Sequence, residues 1–414
     1  MRRFGFIILL TLCTSISWGQ RVDLARTTVQ TLASDTLFGR GYVNRGDSLA
    51  ANYIAQYFTD LGITSFTDNY LQPYSFPMNT FTGNTSLKVN AKKLKPGKDF
   101  YVSCSSPSVS GNFKTYRPPT GISTPKQLMA YLKAQQKEGC LVLDPSFKKL
   151  YGQNLPHVPV AILIESKPGY WHVSNGAEVG ETTWFKADSS AIGKSPKKIS
   201  VEVESHFFEQ YPTQNVVGYV PGTTHPEKFV VFTAHYDHLG MMGNKTVFPG
   251  ANDNASGTAM VMDLARHFAQ NPAEYSVAFI LFSGEEAGLH GSTYYAEHPL
   301  FPLNQIDLLV NLDMVGSGSE GITVVNGKLY PELVKKMDSI NDVDLLLPDI
   351  ALRGESCNSD HCPFYQKGVK SVFIYTRGKE LLAYHTIEDK YTDNFPFTAY
   401  DGLFKLLLNL VNIQ

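Results

Sequence analysis

The chain has 414 residues, of which 43% are hydrophobic and 18% are charged, and its formal net charge is -2. This length suits two domains, and the composition is typical of a globular protein with a full core. The sequence has neither the basic surplus of a nucleic-acid-binding protein nor an acidic, disordered tail.

Residues 1–19 predict a secretory signal peptide. Arg2 and Arg3 precede a short apolar run, Phe4–Leu12, and small residues stand before a cleavage point at Gln20. The run is too short to span a membrane, and no later run is long and apolar enough. We therefore expect an exported protein, periplasmic or extracellular. A lipid anchor at Cys13 is disfavoured because a bulky residue precedes it.

Two helices are predicted near the N-terminus. Apolar residues recur at helical spacing over Leu24–Leu32, and again over Ser48–Leu61, where Gly62 marks the end. From about residue 83 the sequence becomes rich in Gly, Pro, Ser and Lys, with short apolar runs that predict strands. We expect 20–82 to be the first part of the main domain, 83–197 an inserted β-rich domain and 198–414 the rest of the main domain.

Buried strands alternate with helices after residue 198. The predicted strands are NVVGYV, KFVVFTA, YSVAFILFS, IDLLVNLDMV, GITVVN and KSVFIYT. The predicted helices include ASGTAMVMDLARHFAQ, YPELVKKMDSI and the C-terminal TAYDGLFKLLLNLVNI. This alternation predicts an α/β fold with a mixed, largely parallel central sheet flanked by helices.

Polar residues follow the predicted strands at the edge where ligands bind in open α/β sheets. Each of these polar residues has an ordinary structural explanation when it is considered alone. Asp253, for example, precedes a helix and could cap it. His238 is expected to point away from His235, because the side chains of an extended chain alternate. The residues in question are His235, Asp237, Asp253, Glu285, Glu286, Asp313, Tyr384 and His385.

Imidazole and carboxylate ligands together indicate zinc, with cobalt or manganese as substitutes. Two histidines and three carboxylates are too many for one four-coordinate zinc ion that keeps a water molecule. They suit two metal ions that share one carboxylate, an arrangement found in aminopeptidases and phosphatases.

Six ordered segments resemble the secreted di-zinc aminopeptidase family, which also contains glutamate carboxypeptidases, glutaminyl cyclases and the transferrin receptor. They are AHYDHLG, GANDNASGTA, FSGEEAGLHGS, NLDMVG, SDHCPF and YHTIEDKYT. LFGRGYVNRGDSLAANYIAQYF near the N-terminus extends the resemblance. It implies a zinc-exopeptidase fold, related to the phosphorylase/hydrolase fold, and an aminopeptidase acting on peptides with a free N-terminus. The insertion stands where some members carry a protease-associated domain.

The resemblance implies a ligand set for two zinc ions. His235 and Asp313 would bind one ion, Glu286 and His385 would bind the other, and Asp253 would bridge them.

It also implies the catalytic residues. Glu285 would be the general base, Asp237 would orient His235, and Tyr384 would help to polarise the scissile carbonyl. The peptide bond after Asp253 is expected to be cis.

Other functions remain open at this stage. A glutaminyl cyclase would use one zinc ion, whereas His235 in the complete HYD motif favours hydrolysis. A carboxypeptidase needs a basic residue for the substrate's carboxylate, for which Arg353 and Arg377 are candidates. A peptide- or glycan-binding role for the insertion has no motif in its favour. A member without activity is disfavoured because every ligand and the base are present. The sequence does not indicate the oligomeric state.

Four cysteines remain after the signal peptide. In an exported protein an even number favours disulfides. We prefer Cys357 with Cys362 and Cys104 with Cys140, while other pairings and free thiols stay open.

Overall fold

The computed structural model describes residues 19–135, 138–167, 169–193 and 196–412, so the predicted signal peptide lies outside the described residues except for Gly19.

The helices begin and end close to the residues that the sequence indicated. The second helix ends where Gly62 adopts a left-handed conformation with φ of 67°. The helices are α1 (Gly19–Leu32), α2 (Gly46–Leu61), α3 (Pro125–Ala134), α4 (Ser189–Ile192), α5 (Gly257–Gln270), α6 (His290–Glu297), α7 (Pro331–Asp344), α8 (His361–Gln366) and α9 (Tyr400–Asn412).

The strands form two large sheets and one short hairpin. They are β1 (Thr64–Ser65), β2 (Leu71–Thr80), β3 (Thr85–Val89), β4 (Lys92–Lys93), β5 (Phe100–Val102), β6 (Val109–Tyr116), β7 (Cys140–Leu143), β8 (Val160–Glu165), β9 (Thr183–Asp188), β10 (Lys198–Val203), β11 (His206–Val220), β12 (His225–His235), β13 (Gly240–Met242), β14 (Thr246–Phe248), β15 (Tyr275–Phe282), β16 (Ile306–Leu312), β17 (Ile322–Val325), β18 (Ile350–Leu352) and β19 (Ser371–Thr376).

The larger sheet has the order β1-β11-β15-β12-β16-β19-β17-β18, with β2 paired to β11. The central strands β15, β12, β16 and β19 are parallel to one another. The flanking pairs β11–β15 and β17–β19 are antiparallel. The sheet is therefore mixed with a parallel centre, as the alternation of strands and helices predicted.

Helix α5 covers the centre of this sheet. Met260, Val261, Leu264 and Phe268 are almost completely buried, and they recur at the spacing of one helical face. Replacing a side chain such as Leu264 by alanine in this layer would cost about 2–5 kcal/mol. The helix thereby packs its apolar face against the central strands in one hydrophobic cluster.

The second large sheet has the order β4-β3-β10-β6-β7-β8-β9-β5, and its strands lie within residues 85–203. Strands β6 to β9 are parallel, and the other pairs are antiparallel.

The preferred pairing of Cys104 with Cys140 was wrong, since both thiols are free and buried. Cys104 follows β5 and Cys140 begins β7, and two strands separate these strands in the sheet. Three strand spacings amount to roughly 14 Å, about twice the Cα separation that a disulfide spans. The other predicted bond, Cys357–Cys362, is present.

Among the described helices, none combines the length and the apolar character that crossing a membrane requires.

Candidate metal and catalytic site

The candidate site lies at the carboxyl ends of the parallel strands. His235 is the last residue of β12, and Asp313 directly follows β16. Glu285 and Glu286 follow β15, while Asp253 lies in the turn that leads into α5. Because parallel strands end at one edge of the sheet, residues that are far apart in sequence meet there.

The carboxylate of Asp253 lies between two histidines. Its Oδ1 is 3.5 Å from His235 Nε2, and its Oδ2 is 3.1 Å from His385 Nε2. Each carboxylate oxygen therefore faces a different imidazole, which is the geometry of a bridging ligand. The Asp253–Asn254 peptide bond is cis, as the resemblance implied.

Candidate metal ligands form a donor cluster on each side of Asp253, with His235 and Asp313 on one side and Glu286 beside both His238 and His385 on the other. On one side, His235 Nε2 is 3.4 Å from Asp313 Oδ1. On the other side, His385 Nε2 is 3.0 Å from Glu286 Oε2. In a tetrahedral site with bonds of about 2.1 Å, ligand atoms lie about 3.4 Å apart, so these spacings fit a zinc ion in each cluster.

His238 belongs to this site, which corrects the expectation that it points away. Its Nδ1 lies 2.7 Å from Glu286 Oε1, and the ring is completely buried. The alternation argument failed because β12 ends at His235, so His238 lies outside the strand to which the alternation applies. Gly250 makes room for the ring, since its φ is 61° and an added Cβ would clash with His238 and with the carbonyl of Asp253.

Asp237 connects His235 to the two glutamates, but mainly in a different way from that expected. His235 Nδ1 lies 3.1 Å from the backbone oxygen of Asp237 and 3.7 Å from its Oδ1. The carboxylate accepts hydrogen bonds from the Tyr42 hydroxyl at 2.6 Å and from the backbone N–H groups of Glu285 and Glu286 at 3.3 and 3.4 Å. The carbonyl orients the histidine, and the carboxylate holds the Glu-Glu turn.

The environments of the adjacent glutamates push their pKa values apart. Burial raises the pKa of Glu285 well above its usual value, although His235 opposes this shift. Burial acts in the same direction on Glu286, but His385 and His238 hold its pKa well below the usual value. Paired carboxyl groups with divergent pKa values are suited to different roles, here a proton acceptor and a metal ligand.

Two charged residues that support Asp253 were not predicted from the sequence. The carboxylate of Asp389 accepts hydrogen bonds from the backbone N–H groups of Asn252 and Asp253, at 2.9 and 3.0 Å. Arg40 is completely buried and donates to backbone carbonyls that include those of Tyr236, at 2.6 Å, and Asp253, at 3.4 Å. Both residues stand in segments of the family resemblance, but their backbone partners cannot be read from a sequence.

Asp360 was also not predicted as a site residue, although it belongs to the SDHCPF segment. It is completely buried, and this burial raises the pKa of its carboxyl group to about 7. The neighbouring Ser359 hydroxyl donates to Asp313 Oδ2 at 3.1 Å. The segment therefore places a buried carboxyl group close to the cluster and orients Asp313.

A cavity of about 250 Å³ opens onto the donor clusters. Tyr384 stacks on His385 with ring centroids 3.8 Å apart and is 38% exposed, so it borders both the cavity and solvent. The lining residues are His235, Asp253, Glu285, Asp313, Met314, Arg353, Asn358, Phe373, Tyr375, Tyr384 and His385. Arg353 therefore reaches this cavity. Arg377 does not line it and pairs with Asp349 instead.

The segment 83–197 also reaches the site. The backbone N–H of Trp171 donates to the backbone carbonyl of His385 at 3.1 Å, and His385 Nδ1 donates to the backbone carbonyl of Trp171 at 3.0 Å. Tyr170 and His172 lie beside the same imidazole, with ring centroids 6.3 and 5.0 Å from it.

Residues 215–411 match the profile of a family described as peptidase family M28. Aminopeptidase YwaD of Bacillus subtilis is 30% identical over 216 residues, which cover 49% of this chain and 45% of that protein. A probable zinc metalloprotease of Leptosphaeria maculans is 35% identical over 146 residues, 33% of this chain and 34% of that protein. The chain thus covers less than half the length of either curated relative.

Among solved structures, a zinc aminopeptidase from Bacillus subtilis has the same fold. It superposes with a TM-score of 0.70 at 20% identity, covering 93% of this chain and 94% of the other.

Proposed function

We propose that the chain is a zinc-dependent aminopeptidase that removes N-terminal residues from peptides, because residues 215–411 match the profile of peptidase family M28. The observation that carries this proposal is the position of Asp253, whose two oxygens face two different histidines. Glu285 lines the same cavity and is outside both donor clusters. A carboxylate that is not a ligand remains available as a proton acceptor.

Two zinc ions would be held by the two donor clusters. His235 and Asp313 would bind one ion, His385 and Glu286 would bind the other, and Asp253 would bridge them. His238, beside Glu286, would orient that ligand and resist its protonation. When bound, the ions would supply Lewis-acid polarisation of the substrate carbonyl and a lowered pKa for water.

Glu285 would act as the general base and then as the general acid. It would take a proton from the attacking water and return it to the leaving amine, and a base in this position typically contributes 10²–10⁴-fold in rate. Burial raises the pKa of Glu285 well above its usual value, which favours proton uptake by this carboxylate. Tyr384, at the mouth of the cavity, would donate a hydrogen bond to the developing oxyanion.

We also propose that the protein is exported, on the strength of the signal-peptide pattern in residues 1–19. Expression of the full chain, with N-terminal sequencing of the product, tests this proposal. A protein that starts at or near Gln20 outside the cytoplasm supports export, and an intact N-terminus in the cytoplasm contradicts it.

The activity is tested with protein that begins at Gln20, using matched free and N-acetylated peptides and mass spectrometry of the products. We expect stepwise loss of N-terminal residues from the free peptides alone, abolished by a zinc chelator and restored by zinc. Metal analysis should give two zinc ions per chain. Loss of residues from the C-terminus would instead identify a carboxypeptidase, and loss of ammonia from N-terminal glutamine a cyclase.

The role of Glu285 is tested by Glu285→Gln, with Glu297→Gln on the exposed side of α6 as the control. We expect the first variant to lose about 10²–10⁴-fold in kcat while it binds zinc normally. The control should match the wild type. A Glu285→Gln variant with full activity, or one that lost its metal, would contradict the assignment as base.

A further inference from the structure

Arg353 stands out in the cavity because it is the one lining residue, among those described, with a permanent positive charge. It directly follows β18 at the edge of the large sheet. Both backbone polar groups of Arg353 are hydrogen-bonded. Its N–H donates to the Val324 carbonyl at 3.0 Å, and its carbonyl accepts from the backbone N–H of Lys328 at 3.2 Å. The side chain therefore extends from a fixed backbone position.

The guanidinium of Arg353 has no protein partner within the described parts of the chain. Other arginines are engaged: Arg377 pairs with Asp349, and Arg266 pairs with Asp263 at 2.7 Å. An arginine at the wall of an active-site cavity with its donors free is suited to a carboxylate, which it can bind with two parallel hydrogen bonds.

The lining of the cavity combines opposite charges with apolar side chains. Glu285 and the candidate metal ligands line it, and Arg353 and Asn358 line it as well. Met314, Phe373 and Tyr375 supply apolar walls. A substrate group with a short apolar stem and a terminal carboxylate would match both the walls and the charge.

We propose that Arg353 determines specificity by binding a carboxylate of the substrate. This inference rests on the proposed peptidase function and adds to it the class of preferred substrate. The carboxylate can come from two sources, the side chain of an N-terminal aspartate or glutamate or the C-terminus of a dipeptide. Both present the same planar anion to the guanidinium.

The experiment separates these sources with substrates that differ by one charge. Glutamyl and glutaminyl p-nitroanilides have similar shapes and lack a C-terminal carboxylate, so their ratio of kcat/KM reports on the side chain. Leucyl-alanine and leucyl-alanine amide differ in the C-terminal carboxylate alone. The variants are Arg353→Gln and Arg353→Glu, and Arg377→Gln is the matched control because its ion pair lies outside the cavity.

We expect the wild type to prefer the charged member of one pair by about 10-fold or more, as charge-assisted hydrogen bonds imply. Arg353→Gln should reduce that ratio to about one, Arg353→Glu should reverse it, and Arg377→Gln should leave it unchanged. Activity of Arg377→Gln on leucyl-alanine amide should match that of the wild type. Zinc content and urea unfolding of the two Arg353 variants should match the wild type, which would show that folding and metal binding are intact.

The inference is overturned if the wild type hydrolyses both members of each pair equally, or if Arg353→Gln keeps the preference. Failure of the proposed function looks different, because the neutral substrates would then also remain unhydrolysed by zinc-loaded wild-type protein. That outcome would overturn both proposals.

Discussion

Trp171 and His385 are joined by two reciprocal hydrogen bonds, although 213 residues lie between them in the sequence. The backbone N–H of Trp171 donates to the backbone carbonyl of His385 at 3.1 Å. The imidazole Nδ1 of His385 donates to the backbone carbonyl of Trp171 at 3.0 Å. With its proton on Nδ1, His385 presents Nε2 to Asp253 and Glu286. Trp171 lies between β8 and β9 of the second large sheet, so this part of the chain orients a candidate zinc ligand, and such contacts tune metal affinity.

Trp171→Phe should weaken metal binding. The indole N–H of Trp171 donates to the Val102 carbonyl at 2.7 Å, and its ring packs 4.7 Å from Phe248, so the change loosens the segment that holds His385. We expect about a 10-fold loss of zinc affinity, measured by competition with a chromophoric chelator.

Trp184→Phe is the matched control. Trp184 is also buried and donates its indole N–H to a carbonyl, that of Gln153 at 2.7 Å, but it belongs to a different hydrophobic cluster from Trp171. This variant should lose stability without losing zinc affinity. Equal effects of the two changes on affinity would contradict the link between Trp171 and His385.

Asp389→Asn should impair the site through the Asp253 loop. The carboxylate accepts two backbone N–H groups, and an amide has one acceptor oxygen, so one buried N–H would lose its partner at a cost of about 1–3 kcal/mol. We expect lower stability in urea unfolding and a lower zinc content after dialysis. Asp393→Asn, at an exposed position nearby, should change neither.

The cysteines give a prediction that needs no activity. Cys104 and Cys140 are free, and burial raises the pKa of both thiols above their usual value, so neither should react in the folded protein. A thiol reagent should label none in the native state of protein starting at Gln20, two after unfolding, and four after unfolding with reduction. No labelling after unfolding without reductant would show that Cys104 and Cys140 are bonded.

Asp47 should make stability depend on pH. Burial raises the pKa of its carboxyl group to about 6, against the hydrogen bonds that it accepts from Thr213 and Tyr211. The folded state therefore binds more protons than the unfolded state between about pH 4 and pH 6. The contribution of Asp47 to stability is present below this window and is lost as the pH rises through it, by about 3 kcal/mol.

Urea unfolding of the wild type and Asp47→Asn from pH 4 to pH 7 measures this effect. The difference between the two proteins isolates Asp47, because other titrating groups are common to both. We expect the wild type to lose stability relative to the variant as the pH rises. A constant difference would show that the pKa of Asp47 is not raised, and Asp68→Asn, which is exposed, should follow the wild type.

The sheet and the strand-end residues could be predicted because their signals are local. The apolar runs ending at His235 and before Asp313 have the length and composition of buried strands, and parallel strands end at one edge of a sheet. Residue chemistry is also local, since imidazole and carboxylate groups suit zinc wherever they meet. Recognition of the ordered segments then turned separate residues into one candidate site.

Other features depended on tertiary contacts. Strand alternation stops where β12 ends, so it could not show that His238 turns toward Glu286. The cysteine count could not show that two strands separate β5 from β7, which keeps Cys104 and Cys140 apart.

The sequence by itself determined the mixed α/β sheet, the family resemblance and the donors that end its strands, because periodicity and side-chain chemistry belong to each segment alone. Only the tertiary structure decided that Arg40 and Asp389 hold the Asp253 loop and that Trp171 orients His385. These contacts use backbone N–H and C=O groups, which every residue carries. Residue type therefore gives no sign of such partners, and folding alone brings them together.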